Sequence, residues 1–180
     1  MGFLIRASAL GGAALILIAV SGCTVRPLLA TPPEGTAGGT FAADLSSLSI
    51  NPVDTRYAQR VRNELVFLLQ GGATQPVAPR YKLTLSVGRT ITSAVQIQRG
   101  DENEPTAGTV TLTGDYRLAD AETGATVAQG RRQVTSAFDR PRQEFAVLRA
   151  ERNAEDRAAR ELAEQLRLAV AQDMVRLNLR

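Results

Sequence analysis

The chain has 180 residues, with 21 basic and 18 acidic side chains, no histidine and one cysteine. A net charge of +3 is too small an excess for a general nucleic-acid binder, and without His the single Cys cannot build Ser-His-Asp or Cys-His machinery or the common metal sites. A Ser-Lys arrangement finds no support either, because Lys82, the one lysine, lies in a strand-like run without Ser-x-x-Lys spacing. No glycine-rich phosphate loop is present, so the composition reads as a binding or structural protein, not an enzyme, with no cofactor and no nucleic-acid partner.

The first 22 residues carry one charge, Arg6, followed by Ala9 to Val20 without a polar side chain and then Ser21-Gly22. This is the three-part layout of a signal peptide, and its apolar run is shorter than the about 20 residues that span a bilayer. Val20-Ser21-Gly22-Cys23 resembles the lipobox of bacterial lipoproteins, in which the cysteine is lipidated and becomes the first residue of the mature chain. The alternative for a lone cysteine, a small buried hydrophobe, would leave a secreted protein with a reactive thiol. Thr24 instead of Asp after Cys23 points to release to the outer membrane, by lipid anchor on its periplasmic side.

Once Arg6 leaves with residues 1–22, 20 basic residues face 18 acidic ones. All but Lys82 of the 20 are Arg, whose planar forks suit phosphate and carboxylate, although genome composition alone would also give this bias. Residues 23–40 hold Pro27, Pro32 and Pro33 with few large apolar side chains, which predicts a lipidated N-terminus and flexible tether. Residues 41–180 are then one domain.

Within that domain, Leu45, Leu48 and Ile50 predict a short strand closed by Asn51-Pro52. A helix follows, capped by Asp54 or Thr55, with Tyr57, Val61, Leu65, Leu68 and Leu69 on one face and Gly71-Gly72 as its stop. Tyr81, Leu83, Leu85 and Val87 alternate with polar residues, and Ile91, Val95 and Ile97 keep the same parity. This predicts a strand of about 18 residues, long enough to expect a bulge at Gly88. The loop Gly100-Asp101-Glu102-Asn103-Glu104-Pro105 turns the chain into a third strand with Val110, Leu112, Tyr116 and Leu118 on one face. Asp120-Ala121-Glu122-Thr123-Gly124 is a turn, and Thr126 to Phe138 a fourth strand with a parity change near Gly130.

Pro141 suits the first turn of a last helix running to about Leu177. Its apolar stripe is Val147, Ala150, Ala154, Ala158, Leu162, Leu166, Ala169, Val170 and Leu177; the alanines permit close packing. Glu151 and Glu155, and the pairs Arg157 with Glu161 and Arg160 with Glu164, read as a solvated face with i,i+4 pairs. The order β-α-β-β-β-α predicts an α+β two-layer sandwich, a mostly antiparallel four-stranded sheet covered on one face by two helices. Its other face, rich in Thr and Arg, is left open.

Several short stretches resemble the LptE family of lipopolysaccharide-assembly lipoproteins. They are Cys23-Thr24-Val25-Arg26-Pro27-Leu28-Leu29, Val61-Arg62-Asn63-Glu64-Leu65, Tyr81-Lys82-Leu83, Tyr116-Arg117-Leu118 before an Asp-x-x-Thr-Gly turn, and Phe138-Asp139 to Arg152 running into an Ala-rich helix. Thr24, Val25 and Leu29 depart from the family's usual Cys-Gly-Phe-x-Pro-Leu-Tyr. The resemblance implies an outer-membrane lipoprotein that plugs the β-barrel LptD, helps it to fold, and binds lipopolysaccharide during insertion into the outer leaflet. For that anionic ligand the candidate residues are Arg89, Arg99, Arg117, Arg131 and Arg132. A strand Arg also serves simply to solubilise or protect an edge, and Arg89 shares its parity with the apolar set. The same layout suits an auxiliary lipoprotein of a lipid-transport ABC system.

Overall fold

The computed structural model describes residues 45–96 and 105–178. The expected leader over residues 1–22, the expected lipidation at Cys23, the expected tether, Arg99 and most of the loop from Gly100 lie outside the described residues.

Strand β1 (Leu48–Ile50) leads into helix α1 (Arg56–Gln70), strands β2 (Tyr81–Gln96), β3 (Pro105–Asp120) and β4 (Thr126–Asp139), and helix α2 (Glu144–Asn178). The sheet order is β1-β2-β3-β4. β1 pairs with β2 in parallel through the α1 crossover, and the two later pairings are antiparallel. The fold is therefore α+β in the expected order. Leu45 is buried but sits in helical backbone ahead of β1, not in the strand.

Thr55 caps α1, its hydroxyl accepting from the Ala58 amide at 3.4 Å. Gly71, at φ 61°, ends the helix in the left-handed conformation that a side chain would disfavour. Val61, Leu65 and Leu69 of α1 are buried against Leu83 and Leu85 of β2, Leu112, Tyr116 and Leu118 of β3, and the face of α2 that carries Ala154, Ala158, Leu162, Leu166 and Val170. Small residues let α2 come close: at Gly114 a Cβ would stand 3.2 Å from Leu166 Cδ1 and 3.3 Å from Leu162 Cδ2. At 35 residues, α2 is continuous and about 52 Å long at 1.5 Å per residue.

Four local expectations change. Gly88 does not bulge: Val87, Gly88 and Arg89 face Gly114, Thr113 and Leu112 in unbroken register, and the irregularity falls between Ser93 and Gln96. The fourth strand changes parity at Val127 and not at Gly130, since Leu118 faces Ala128 while Ala119 faces Thr126. Gly130 instead leaves room for a neighbour, as a Cβ there would meet Tyr116 Cε1 at 2.7 Å. Helix α2 begins at Glu144, after Pro141, with Gln143 O accepting from the amides of Ala146 at 3.0 Å and Val147 at 3.1 Å. Finally, Glu151 and Glu155 turn inward, and Arg157 reaches not Glu161 but the Ala137 carbonyl at 2.7 Å.

Candidate functional site

The period-2 alternation gives the sheet two chemically opposite faces. Odd positions of β2 and even positions of β3 and β4 meet the helices, so Lys82, Thr84, Ser86, Gly88, Thr90 and Thr92 project to the open side with Thr109, Thr111, Thr113, Asp115 and Arg117. The register aligns these into cross-strand rows: Thr84, Arg117, Gln129; Ser86, Asp115, Arg131; Gly88, Thr113, Gln133; Thr90, Thr111, Thr135. Three of the rows are joined by side chains, Thr111 Oγ1 with Thr135 Oγ1 at 3.0 Å, Thr113 Oγ1 donating to Gln133 Oε1 at 3.3 Å, and Arg131 with Asp115.

Along the strands this face divides in two. Toward the β2–β3 hairpin its described residues are mostly hydroxyl-bearing, Thr90, Thr92, Thr109, Thr111, Thr113 and Thr135, with Asp139 of β4 the charged position of the same parity. Toward the Asp120 turn it holds Lys82, Arg117, Arg131 and one acid, Asp115. There the side chains of Thr84, Ser86, Asp115, Arg117, Gln129 and Arg131 border a shallow concavity of about 520 Å³. Arg131 Nε donates to Asp115 Oδ1 at 2.6 Å, and this bond, then the charge of Asp115, raises the guanidinium pKa above its already high value. Both groups are exposed, so the pair fixes a direction more than it stabilises the fold. Arg117 has no ion-pair partner among the described residues.

Of the five candidate arginines, Arg117 and Arg131 lie together on this face. Arg132, one residue on, projects to the helix side and donates to the Arg131 carbonyl at 2.7 Å. Arg89 also faces the helices. Its Nη1 donates to Glu155 Oε2 at 2.7 Å and lies 3.6 Å from Glu151, and the guanidinium stands over the Tyr57 ring at 5.4 Å. Arg56 takes the other oxygen of Glu155, and both Arg56 and Arg60 reach Asp156. Arg89 is thus engaged in fastening β2 and α1 to α2. Asp115, Ser86 and Gln129 belong to the concavity but were not among the candidates; their signal was the parity that Asp115 shares with Arg117.

On the helix side, the Tyr116 hydroxyl donates to Asp173 Oδ2 at 2.6 Å. Burial, reinforced by this bond, pushes the phenol pKa well above its usual 10.0. Among the described residues no three His, Cys, Asp or Glu side chains group as metal ligands, and no helix is long and apolar enough to cross a membrane.

Three crystal structures share this architecture. A Caulobacter crescentus CB15 protein described as a lipoprotein is 29% identical, with a TM-score of 0.59 over 73% of this chain and 93% of its own. A minor lipoprotein from Acinetobacter baumannii, 14% identical, gives 0.53 over 71% and 91%. The rare lipoprotein B from Shewanella oneidensis, 13% identical, gives 0.53 over 72% and 96%. At those identities the last two speak for the fold alone. No curated protein matches in sequence. The LptE lipopolysaccharide-assembly family matches residues 45–170, more than half of the chain, so this protein belongs to the LptE family and has a role in lipopolysaccharide assembly as a lipoprotein.

Proposed function

We propose that the protein is a non-enzymatic outer-membrane lipoprotein, anchored through Cys23 on the periplasmic side, that sits in the lumen of the β-barrel LptD, supports its assembly, and contacts lipopolysaccharide in transit. The observation that carries this reading is the polar sheet face, which no helix among the described residues covers. A barrel lumen is polar and wet, and a flat field of Thr, Ser and Gln can exchange hydrogen bonds with such a wall without burying an unpaired charge. Arg117 and Arg131, at the basic end of the face, suit the phosphates and carboxylates of lipopolysaccharide, where charge-assisted bonds are strongest.

Anchoring through Cys23 rests on Val20-Ser21-Gly22-Cys23. Two acyl chains hold a protein on a membrane durably where one does not, so mass spectrometry of the mature protein should find a diacylated or triacylated Cys23. The barrel reading is tested by depleting the lipoprotein from cells. Loss of assembled barrel and of surface lipopolysaccharide supports it; normal levels of both count against it.

A further inference from the structure

Among the described residues the sheet has three stretches of edge; side chains close the first and occupy two carbonyls of the second. Along β1, Gln70 Nε2 donates to the Leu48 carbonyl at 2.9 Å, the Ile50 amide donates to Gln75 Oε1 at 2.6 Å, and Arg62 Nη2 donates to the Ile50 carbonyl at 3.0 Å. Along β4, Arg157 and Arg132 occupy the outward carbonyls of Ala137 and Arg131, both at 2.7 Å. Blocking of this kind is how soluble sheets avoid pairing with other chains.

The third stretch is open. β1 covers β2 only from Tyr81 to Leu83, and the chain then leaves the sheet, its Asn51 amide donating to the Leu83 carbonyl at 3.0 Å. That bond shows which way the backbone points: Leu83 directs its polar groups toward the β1 side. In the unbroken register that follows, Leu85, Val87, Arg89 and Ile91 do the same, while Ser86, Gly88 and Thr90 bond to β3. No strand and no side chain among the described residues meets the outward amides and carbonyls of these four residues. Ile91 is also an exposed large apolar side chain.

We infer that the β2 edge from Leu85 to Ile91 is a strand-addition site, at which an extended segment of the barrel partner pairs as a further strand beside β2, in line with β1. This rests on the barrel reading above and specifies how the partner is held. Main-chain pairing supplies the affinity in such sites, and alternate side chains supply the specificity. The occupant is the barrel because the edge borders the polar face: Ser86 and Thr90 lie on that face beside the edge, so a partner covering the face reaches the edge as well. Antiparallel pairing with a second copy is confined to the residues of β2 after Leu83, where β1 ends, and would leave the polar face without a partner.

Proline at an outward position removes one edge donor and leaves the β3 ladder intact. The test compares full-length lipoprotein carrying Val87→Pro with Val87→Ala, which trims the same half-buried side chain and keeps the N–H. Both should fold, and Val87→Pro should retain at least about tenfold less LptD on purification from outer membranes than Val87→Ala, a difference of about 1.4 kcal/mol. Independently of any variant, hydrogen exchange of the wild type should find the Leu85, Val87, Arg89 and Ile91 amides fast in the isolated lipoprotein and slow in the complex. Equal retention of LptD by the two variants, or equal exchange in both states, overturns the proposal while leaving the barrel reading standing. A wild type that retains no LptD defeats the barrel reading itself. Protection of these amides in a dimer of the isolated protein assigns the edge to a second copy and overturns the proposal.

Discussion

Arg89 of β2 and Glu155 of α2 meet at 2.7 Å across 66 residues of sequence, and Glu155 is only 4% exposed. Truncating Arg89 leaves a buried carboxylate with Arg56 as its remaining close partner. The cost should fall between the about 0–1 kcal/mol of an exposed pair and the about 3–5 kcal/mol of a broken buried one. Arg89→Ala and Glu155→Ala should each lower stability in urea titrations, and the double variant should lose less than their sum by at least about 0.5 kcal/mol. Strict additivity would show that the two side chains do not interact.

Tyr116→Phe removes the bond to Asp173 and should cost about 1–3 kcal/mol at neutral pH. The phenol pKa is raised in the folded state, so this stabilisation is complete below 10.0, the ordinary value. Above that pH the unfolded chain ionises first, and wild type should lose about 1.4 kcal/mol per pH unit relative to the variant. Denaturation midpoints of both proteins from pH 8 upward check this; a gap that stays constant with pH contradicts it.

Asp120 organises the β3–β4 turn. Its Oδ1 accepts from the Thr123 amide at 2.8 Å, the Thr123 hydroxyl at 3.0 Å and the Glu122 amide at 3.0 Å. The Thr123 bonds come first among the causes that hold its pKa below 3.8. A depressed carboxylate contributes stability that is present above its unfolded pKa and lost as pH falls through the folded one. Asp120→Ala should therefore be less stable than wild type near pH 7, with the gap narrowing as pH falls below 3.8, as thermal melts across that range would show.

Arg117 has no described ion-pair partner, whereas Arg131 is directed by Asp115. Arg117→Ala should weaken lipopolysaccharide binding and flatten its salt dependence with melting unchanged, and Arg131→Ala should act in the same direction. Arg132→Ala, on the other side of the sheet, should have a smaller effect. Titrations at low and high salt, where screening differs most, measure this; equal binding by all four proteins would make the face a solvated surface only.

Most of the fold was legible because its signals are local. Period-2 alternation in β2 and β3 gave the two faces, Thr55 and Gly71 gave both ends of α1, and Asp120 to Gly124 gave the turn. What escaped depends on contacts remote in sequence. The parity of Arg89 placed it among apolar residues, but only the packing of α2 supplies Glu155 to receive it. The bulge expected at Gly88 fails because β3 matches β2 residue for residue there, with Gly114 opposite Val87 making room for Leu162 and Leu166. Arg131 and Arg132 looked like one basic patch; adjacent strand residues point to opposite faces, so only Arg131 joins Arg117.

Covalent capture in living cells tests most directly whether the open sheet face lines the lumen of the barrel. A photo-crosslinking residue at Thr111 or Thr113, on the hydroxyl-lined half of that face, should yield an adduct with LptD. The same residue at Arg160, on the outer side of α2, serves as a reference. Adducts with LptD from Thr111 and Thr113 are the expected result; capture of LptD from Arg160 with none from either threonine would contradict it.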